Sequence, residues 1–266
     1  MAFELFALTG KRALITGSSQ GIGFALAQGL AEHGAEIVLN GRDAGRLASA
    51  AAKLAAAGHK VTVAGFDVTQ AQAARDGVEA IEKNSGAIDI LINNAGVAGF
   101  TPALAAPTMD NARLEIETNY LGTLAMCRAF APVLDRNGGG ALVNVLSVVS
   151  WFNVPMQGSY CASKAAEWSL TRAVRFELRA QGTLVVAVYA GYIDTDMTSA
   201  LTLPKTSPDV IAARVLAGIE SGSEEILADE RAQSVHRELF NDGEAFEANM
   251  QKTWNDHVRR QVRERA

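Results

Sequence analysis

The stretch that decides the fold is KRALITGSSQGIG, at residues 11–23. A short apolar run is followed by three closely spaced glycines and then by residues of helical period. A strand, a glycine turn and a helix in this order can hold a pyrophosphate, because backbone N–H groups at the helix N-terminus face it. Gly17 allows the tight turn, Gly21 lets phosphate approach, and Gly23 lets the helix pack closely on the strand. We therefore predict a dinucleotide-binding unit here, the alternative being a turn that merely connects two elements.

The same alternation of short β-branched runs and longer alanine-rich stretches continues along the chain. Strands are predicted at residues 12–16, 36–40, 60–66, 88–92, 141–146, 184–189 and 225–227. Helices are predicted at residues 21–33, 43–57, 70–84, 109–135, 156–181 and 207–221. This pattern predicts an α/β fold with a Rossmann-like, doubly wound, seven-stranded parallel sheet, helices on both faces, and strands buried on both faces. We expect one domain over residues 1–266, including a charged, helical C-terminal tail over residues 228–266.

The composition narrows the class of function. The chain has 266 residues, of which 48% are hydrophobic and 20% charged, and a net charge of -5. These values exclude a disordered chain and favour a small-molecule substrate over nucleic acid or membrane partners. Glu4 stands where a signal peptide needs positive charge, so we expect a cytoplasmic protein. Arginines near the C-terminus could contact a partner or nucleic acid, but a solvated or subunit-packing helix fits the acidic chain better.

Metal dependence is not expected. The two cysteines, Cys127 and Cys161, lack the C-x-x-C spacing of a zinc site, and the four histidines are scattered along the chain.

The end of the second predicted strand indicates which cofactor is bound. Folds that use NAD place a carboxylate there, against the adenosine ribose, whereas this chain has Asn40-Gly41-Arg42. The Arg42 guanidinium can form charge-assisted hydrogen bonds with a 2′-phosphate. We therefore predict NADPH/NADP+, with NADH as the alternative because Ser18, Ser19 and Gln20 leave the glycine loop neutral.

Two features in the middle of the chain point to proton transfer. Tyr160 and Lys164 are four residues apart, so on a helix they share a face, and the ammonium would lower a phenol pKa that starts at about 10. Ser147 ends the fifth predicted strand, at the edge where open α/β sheets bind ligands. Its hydroxyl could orient a substrate oxygen as charge develops there.

Together these motifs resemble the short-chain dehydrogenase/reductase family over residues 8 to about 228. The resemblance is carried by residues 16–23, Asn93-Asn94-Ala95-Gly96, Asn119, Ser147 and Tyr160-Cys161-Ala162-Ser163-Lys164. It implies that Tyr160 is the general acid, Ser147 holds the carbonyl, and Lys164 binds the nicotinamide ribose. It also implies that Asn119 supports a water-linked proton path, and that the long helices over 109–135 and 156–181 join a homodimer or homotetramer.

The resemblance further implies a set of cofactor contacts. These are Gly17, Ser19, Gln20, Gly21, Ile22, Gly23, Arg42, Asp67, Val68, Asn94, Ala95, Gly96, Tyr160, Lys164, Gly191, Ile193 and Thr195. Asp67 could instead cap a helix. Ala190 stands where the family usually has proline, which leaves the loop before Gly191 less rigid.

The substrate is the open question. Residues 10 to about 96 look particularly like gluconate 5-dehydrogenases, whereas the second half looks more like carbonyl reductases. The expected pocket segments, residues 97–101, 148–158 and 192–203, contain no lysine or arginine for a sugar-acid carboxylate. An apolar wall is predicted from Phe100, Val149, Trp151, Phe152, Val154, Met156 and Tyr192. We therefore predict an NADPH-dependent carbonyl reductase or alcohol dehydrogenase for an apolar ketone or aldehyde. The alternatives are a gluconate 5-dehydrogenase and a catalytically silent dinucleotide-binding regulator.

Overall fold

The computed structural model describes residues 5–265, and its centre is one parallel sheet of seven strands. The strands are β1 (Arg12–Ile15), β2 (Glu36–Gly41), β3 (Val61–Gly65), β4 (Ile90–Asn93), β5 (Gly140–Val145), β6 (Thr183–Tyr189) and β7 (Glu225–Leu227). Their order across the sheet is β3-β2-β1-β4-β5-β6-β7. The predicted α/β class and sheet are confirmed, and strand ends differ from the prediction by at most two residues.

Helices connect successive strands and continue the chain after β7. They are α1 (Gly21–Glu32), α2 (Ala44–Ala56), α3 (Ala71–Ser85), α4 (Asp110–Glu115), α5 (Thr123–Arg136), α6 (Gly158–Leu178), α7 (Pro208–Glu220), α8 (Glu230–Asn241) and α9 (Gly243–Arg265). A π-helical segment, Ile116–Gly122, joins α4 to α5, so the single helix predicted over 109–135 is wound more loosely in its middle. Such segments often mark functional sites.

The two faces of the sheet carry separate apolar cores, because successive strand residues point to opposite faces. In β1, Ile15 packs with α1, α2 and α7, whereas Leu14 packs with α3, α5 and α6. This arrangement is the doubly wound layering that the strand and helix alternation predicts. Since both cores share one sheet, we propose that residues 1–266 form a single domain.

Burial on both faces holds for the central strands but not for the edge. All four residues of β4 are buried, whereas Val63 of β3 is 53% exposed. The expectation of burial on both faces is therefore wrong for β3, because an edge strand lacks a neighbour and its covering layer is incomplete.

The C-terminal tail is helical, as predicted, and its first part packs on the body of the protein. Ala232 and Val235 of α8 and Phe246 of α9 are buried in a third apolar cluster with Leu146 and Tyr189. Most of the arginine side chains near the C-terminus lie outside the part of the chain that the structure describes. A partner contact through them therefore stays untested. Within residues 5–265, no helix has both the length and the apolar character needed to cross a membrane.

The sheet order also locates the site. Strand order reverses between β1 and β4, and ligands of open α/β sheets bind at the carboxyl ends of the strands beside such a reversal. The glycine turn after β1 and the Asn94-Ala95-Gly96 segment after β4 meet at this point.

Candidate active site

The glycine loop after β1 is packed too tightly for side chains. Gly17 has φ of 60°, and a Cβ there would lie 2.9 Å from Ala95 Cα. A Cβ at Gly23 would lie 2.5 Å from both Asn94 Nδ2 and Gly17 O. Asn94 braces the loop, because its Nδ2 donates to Thr16 O at 2.9 Å and to Gly17 O at 3.1 Å. Gly23, at the start of α1, therefore lies directly against the glycine loop and the Asn94 side chain.

The N-terminus of α1 has the character of an anion site. In the described part of the chain, its cap residue Gln20 forms no capping hydrogen bond and its first turn carries no acidic residue. The N–H groups of this turn are therefore available to a phosphate, and the helix dipole favours negative charge there. With the tight glycine loop, these groups fit a dinucleotide pyrophosphate.

Arg42 lies at the adenosine end of the site, beside Asp67. Its Nη1 is 3.6 Å from Asp67 Oδ2, and its side chain is 62% exposed. The other Asp67 oxygen accepts from the backbone N and Oγ1 of Thr69, both at 2.9 Å. Asp67 therefore stabilises the turn before α3, much as a helix cap would, and also pairs with Arg42. It lines the cavity, where the resemblance implies a contact with adenosine.

The opposite wall comes from the loop after β6. A Cβ at Gly21 would lie 3.1 Å from Thr195 Cγ2, so this loop closes against the glycine turn. The backbone N of Gly191 donates to Asp229 Oδ2 at 2.9 Å, while Asp229 Oδ1 accepts from Ala232 N at 2.7 Å. The buried Asp229 thus ties the loop to α8, and this bond restrains a loop that lacks the usual proline at Ala190.

Ser147 and Tyr160 lie at the end of β5 and the start of α6. The Ser147 hydroxyl is 3.4 Å from both Ala190 O and Val149 N. Burial raises the pKa of Tyr160, and the Lys164 ammonium and the Ser147 hydrogen bond offset this only in part. Lys164 acts in the predicted direction, but the net shift is upward because desolvation penalises the phenolate more strongly.

Lys164 is buried and has two firm partners. Its Nζ donates to Val145 O at 2.9 Å and to Glu167 Oε2 at 2.6 Å. Burial alone would lower the pKa of Lys164, but the adjacent Glu167 carboxylate outweighs it, and the pKa of Lys164 is raised. Lys164 is therefore an ammonium at neutral pH.

Asn119 lies in the π-helical segment with its side chain fully buried. Its Nδ2 donates to Val97 O and to Ser163 Oγ, both at 2.9 Å, and its Oδ1 accepts from Val97 N at 2.8 Å. The side chain thus holds the loop after β4 against α6. The predicted water-linked proton path through Asn119 stays a prediction.

One cavity of about 500 Å³ brings most of the predicted residues together. Of the predicted catalytic and cofactor residues, those in its lining are Gly17, Ser19, Gln20, Gly21, Ile22, Arg42, Asp67, Val68, Asn94, Ala95, Gly96, Ser147, Tyr160, Lys164, Gly191, Ile193 and Thr195. Of the predicted substrate wall, Phe100, Val149, Phe152, Val154 and Tyr192 line it. Phe100 has φ of 50°, a strained value for a residue with a side chain.

Two predicted wall residues, Trp151 and Met156, are not part of this lining. Trp151 packs with its ring centroid 4.1 Å from that of Tyr189 and 5.4 Å from that of His236. The tail helix α8 supplies His236, and a sequence pattern gives no sign that this helix covers the indole. Asn93, quoted with the ribose segment, is also buried, and its Nδ2 donates to Asn144 Oδ1 at 2.8 Å.

Three charged residues were missed by sequence reasoning. Arg46 lines the cavity and donates to Gln20 Oε1 at 2.9 Å; its spacing of four from Arg42 was the available signal. Arg231 of α8 also lines the cavity, although it lies outside the three segments from which the substrate pocket was predicted. Glu167, three residues after Lys164, could have been suspected from its place on a buried helix face.

Comparison with known proteins agrees with this geometry. The family model described as short chain dehydrogenase matches residues 11–205. The gluconate 5-dehydrogenase of Gluconobacter oxydans is 38% identical over 224 residues, which cover 84% of this chain and 87% of that protein.

Two solved structures from Burkholderia cenocepacia are also similar. A short chain dehydrogenase in complex with NADP has a TM-score of 0.84 at 33% identity, covering 92% of this chain and 99% of that one. A gluconate 5-dehydrogenase in complex with NADP and tartrate has a TM-score of 0.78 at 30% identity, covering 84% of this chain and 95% of that one.

Proposed function

The chain belongs to the short-chain dehydrogenase family, and from that premise we propose that it is an NADPH-dependent carbonyl reductase that also runs in reverse as an alcohol dehydrogenase. It is an NAD(P)-dependent oxidoreductase that acts on CH–OH groups of small molecules. The observation that carries the finer proposal is the shared cavity, which has the glycine loop at one end and Ser147, Tyr160 and Lys164 at the other.

The cofactor is NADP(H), in agreement with the related structures that were solved with NADP. Gly17 and Gly21, with the first turn of α1, would hold the pyrophosphate. Arg42 and Arg46 supply the two guanidinium groups at the adenosine end, where a 2′-phosphate needs them. When bound, the dinucleotide supplies the hydride that passes to the carbonyl carbon.

Side chains of this protein carry out the proton transfer. Tyr160 donates a proton to the substrate oxygen, and its raised pKa keeps the phenol protonated at neutral pH. The Ser147 hydroxyl, beside it, orients the same oxygen. Lys164 presents a permanent positive charge to the nicotinamide ribose. In the reverse direction the phenolate of Tyr160 accepts the proton of the alcohol.

We propose an apolar ketone or aldehyde as the substrate. The cavity beyond Ser147 is lined by Phe100, Phe152 and Tyr192, together with Val149 and Val154. An aromatic and aliphatic wall favours a substrate whose body is apolar and whose one polar group faces Ser147 and Tyr160.

A second candidate substrate, 5-ketogluconate, is favoured by Arg231. This arginine brings a guanidinium to the same cavity, beside Gly191, and such a group pairs with a carboxylate. The similarity to gluconate 5-dehydrogenases supports the same candidate. Arg231→Met keeps the stem that packs on Gly191 but removes the charge. If a sugar acid is the substrate, this variant raises its KM and leaves that of an aryl ketone unchanged.

The test is the rate of NADPH oxidation with aryl ketones, aldehydes and 5-ketogluconate in parallel. Turnover of the apolar carbonyls alone supports the first candidate, and turnover of 5-ketogluconate alone supports the second. Tyr160→Phe should keep NADPH binding and lose about 10²- to 10⁴-fold in turnover, the usual contribution of a general acid. Full activity of that variant would refute the role of Tyr160. NADPH binding without turnover of any carbonyl would favour a silent dinucleotide-binding regulator.

A further inference from the structure

Glu167 is a buried carboxylate directly behind the lysine of the site. Its side chain is 1% exposed, and its Oε2 is 2.6 Å from Lys164 Nζ. Its Oε1 accepts from Thr123 Oγ1 of α5 at 3.2 Å. Both carboxylate oxygens therefore have partners, and α5 and α6 meet at this group.

Stability alone gives little reason for an ion pair at this place. Removing two charges from water is costly, and well-packed apolar residues of the same volume often stabilise a core as well or better. The Lys164 and Glu167 side chains are only 6% and 1% exposed, so the full penalty applies. The pair therefore calls for an explanation in terms of what Lys164 does.

The hydrogen bonds of Lys164 supply that explanation. An ammonium has three N–H donors, and within residues 5–265 two of them are used by Val145 O and Glu167 Oε2. These two acceptors fix the position of Nζ and leave the third donor for a group in the cavity that Lys164 lines. Gly96 lies close by, since a Cβ at that residue would be 3.8 Å from Nζ.

We propose that Glu167 is a positioning residue, which holds the Lys164 ammonium with one donor toward the cavity and sets the charge balance felt by Tyr160. The inference rests on the proposed role of Lys164 at the cofactor. Glu167 itself touches neither the cavity nor the reacting atoms.

The charge balance involves groups from several elements. On α6, the Lys164 ammonium lowers the pKa of Tyr160 and the Glu167 carboxylate raises it. On α5, Cys127 faces Glu167, and burial together with that carboxylate raises the pKa of its thiol to about 12, so the thiol stays neutral. Cys161 also stays neutral, and Glu115 of α4 faces it. Burial raises the pKa of Glu167, and the Lys164 ammonium and the Thr123 hydroxyl oppose that shift. In the ionised pair, replacing Glu167 by a neutral residue leaves Lys164 uncompensated beside Tyr160 and lowers the pKa of Tyr160.

Two substitutions separate charge from position. Glu167→Gln keeps an acceptor for Lys164 but removes the charge, so the Tyr160 phenolate should form at a pH lower by about half a unit or more, with NADPH affinity little changed. Glu167→Leu removes the acceptor as well, so NADPH should bind about ten-fold more weakly, which is the usual effect of losing one charged hydrogen bond. Glu115→Gln is the matched control, because Glu115 is also 1% exposed but bonds the backbone N of Gly99 at 2.7 Å.

The readouts do not depend on turnover. The chain has four tyrosines, so an ultraviolet titration of each variant, with and without Tyr160→Phe, isolates the Tyr160 phenolate. NADPH fluorescence gives the dissociation constant, and thermal unfolding reports the stability. If both Glu167 variants lose stability as Glu115→Gln does, with the Tyr160 titration and NADPH affinity unchanged, Glu167 is purely structural and the inference is overturned. An absence of carbonyl turnover in the wild type would refute the proposed function and leave these readouts intact.

Discussion

The pKa of Tyr160 is set by opposing effects, and the pH dependence of the reaction rate reports their sum. Burial raises its pKa, while Lys164 and the Ser147 hydrogen bond lower it. Alcohol oxidation needs the phenolate, so its rate should rise with pH up to the raised pKa. Carbonyl reduction needs the phenol and should persist through neutral pH and fall only in alkali.

Ser147→Ala tests this at single-residue scale. Loss of the hydroxyl removes one group that lowers the pKa of Tyr160, so the rising limb of kcat/KM for oxidation should move to higher pH by about one unit or less. The rate at the plateau should fall as well, because the substrate oxygen loses a donor. A profile that keeps its midpoint would show that Ser147 does not act on Tyr160.

Substitution of Arg42 tests whether this single residue selects NADPH over NADH. Its ion pair with Asp67 is long and exposed, and such pairs contribute little to stability. Arg42→Ala should therefore unfold at nearly the same temperature, yet bind NADPH about ten-fold or more weakly, since a charged hydrogen bond is lost. NADH affinity should stay nearly constant, and calorimetry with both cofactors measures the difference. Equal losses for NADPH and NADH would contradict a 2′-phosphate role.

At the scale of the element, the strand, turn and helix around Gly17 and Gly23 act as one unit with the Asn94 side chain. A methyl group at Gly23 would lie 2.5 Å from both Gly17 O and the Asn94 side-chain amide. Neither group can move without breaking the packing of the loop. Gly23→Ala should lower the free energy of unfolding by about 1–3 kcal/mol and weaken dinucleotide binding. Denaturant unfolding and NADPH titration measure the two effects.

Gly45→Ala on the next helix is the control for that substitution. A Cβ there would lie 3.4 Å from Asp43 Oδ1, which is an ordinary contact. Alanine favours helix over glycine by up to about 1 kcal/mol, so this variant should be as stable as the wild type or more stable. A similar loss in both variants would show that the Gly23 effect is not specific to the packed loop.

At the scale of the whole molecule, exposed apolar side chains indicate how copies of the chain assemble. Leu114 of α4, Leu121 of the π-helical segment and Phe176 of α6 are 47%, 39% and 73% exposed. They lie on the long helical segments through which the family resemblance implies a homodimer or homotetramer. We propose that these side chains are covered by a second copy, which would remove their apolar surface from water.

Phe176→Arg tests this assembly. The charge should shift the protein toward the 28.1 kDa monomer in light scattering, because an unpaired charge buried in an apolar interface is costly. NADPH binding by the variant would show that its fold is intact. A wild type that is monomeric at all concentrations would refute the proposal.

The sequence by itself determined the sheet, its topology class and the chemical core of the site, because these depend on local patterns. Each of these patterns lies within a short stretch of sequence: the alternation of strands and helices, the glycine spacing, and the interval between Tyr160 and Lys164. Contacts between distant segments were decided by the tertiary structure alone. Arg231 lines the cavity because α8 packs beside the loop after β6. Trp151 packs against His236 of the same helix and does not line the cavity. Likewise, the net pKa of Tyr160 depends on burial and on Glu167, which only the packing of α5 against α6 defines.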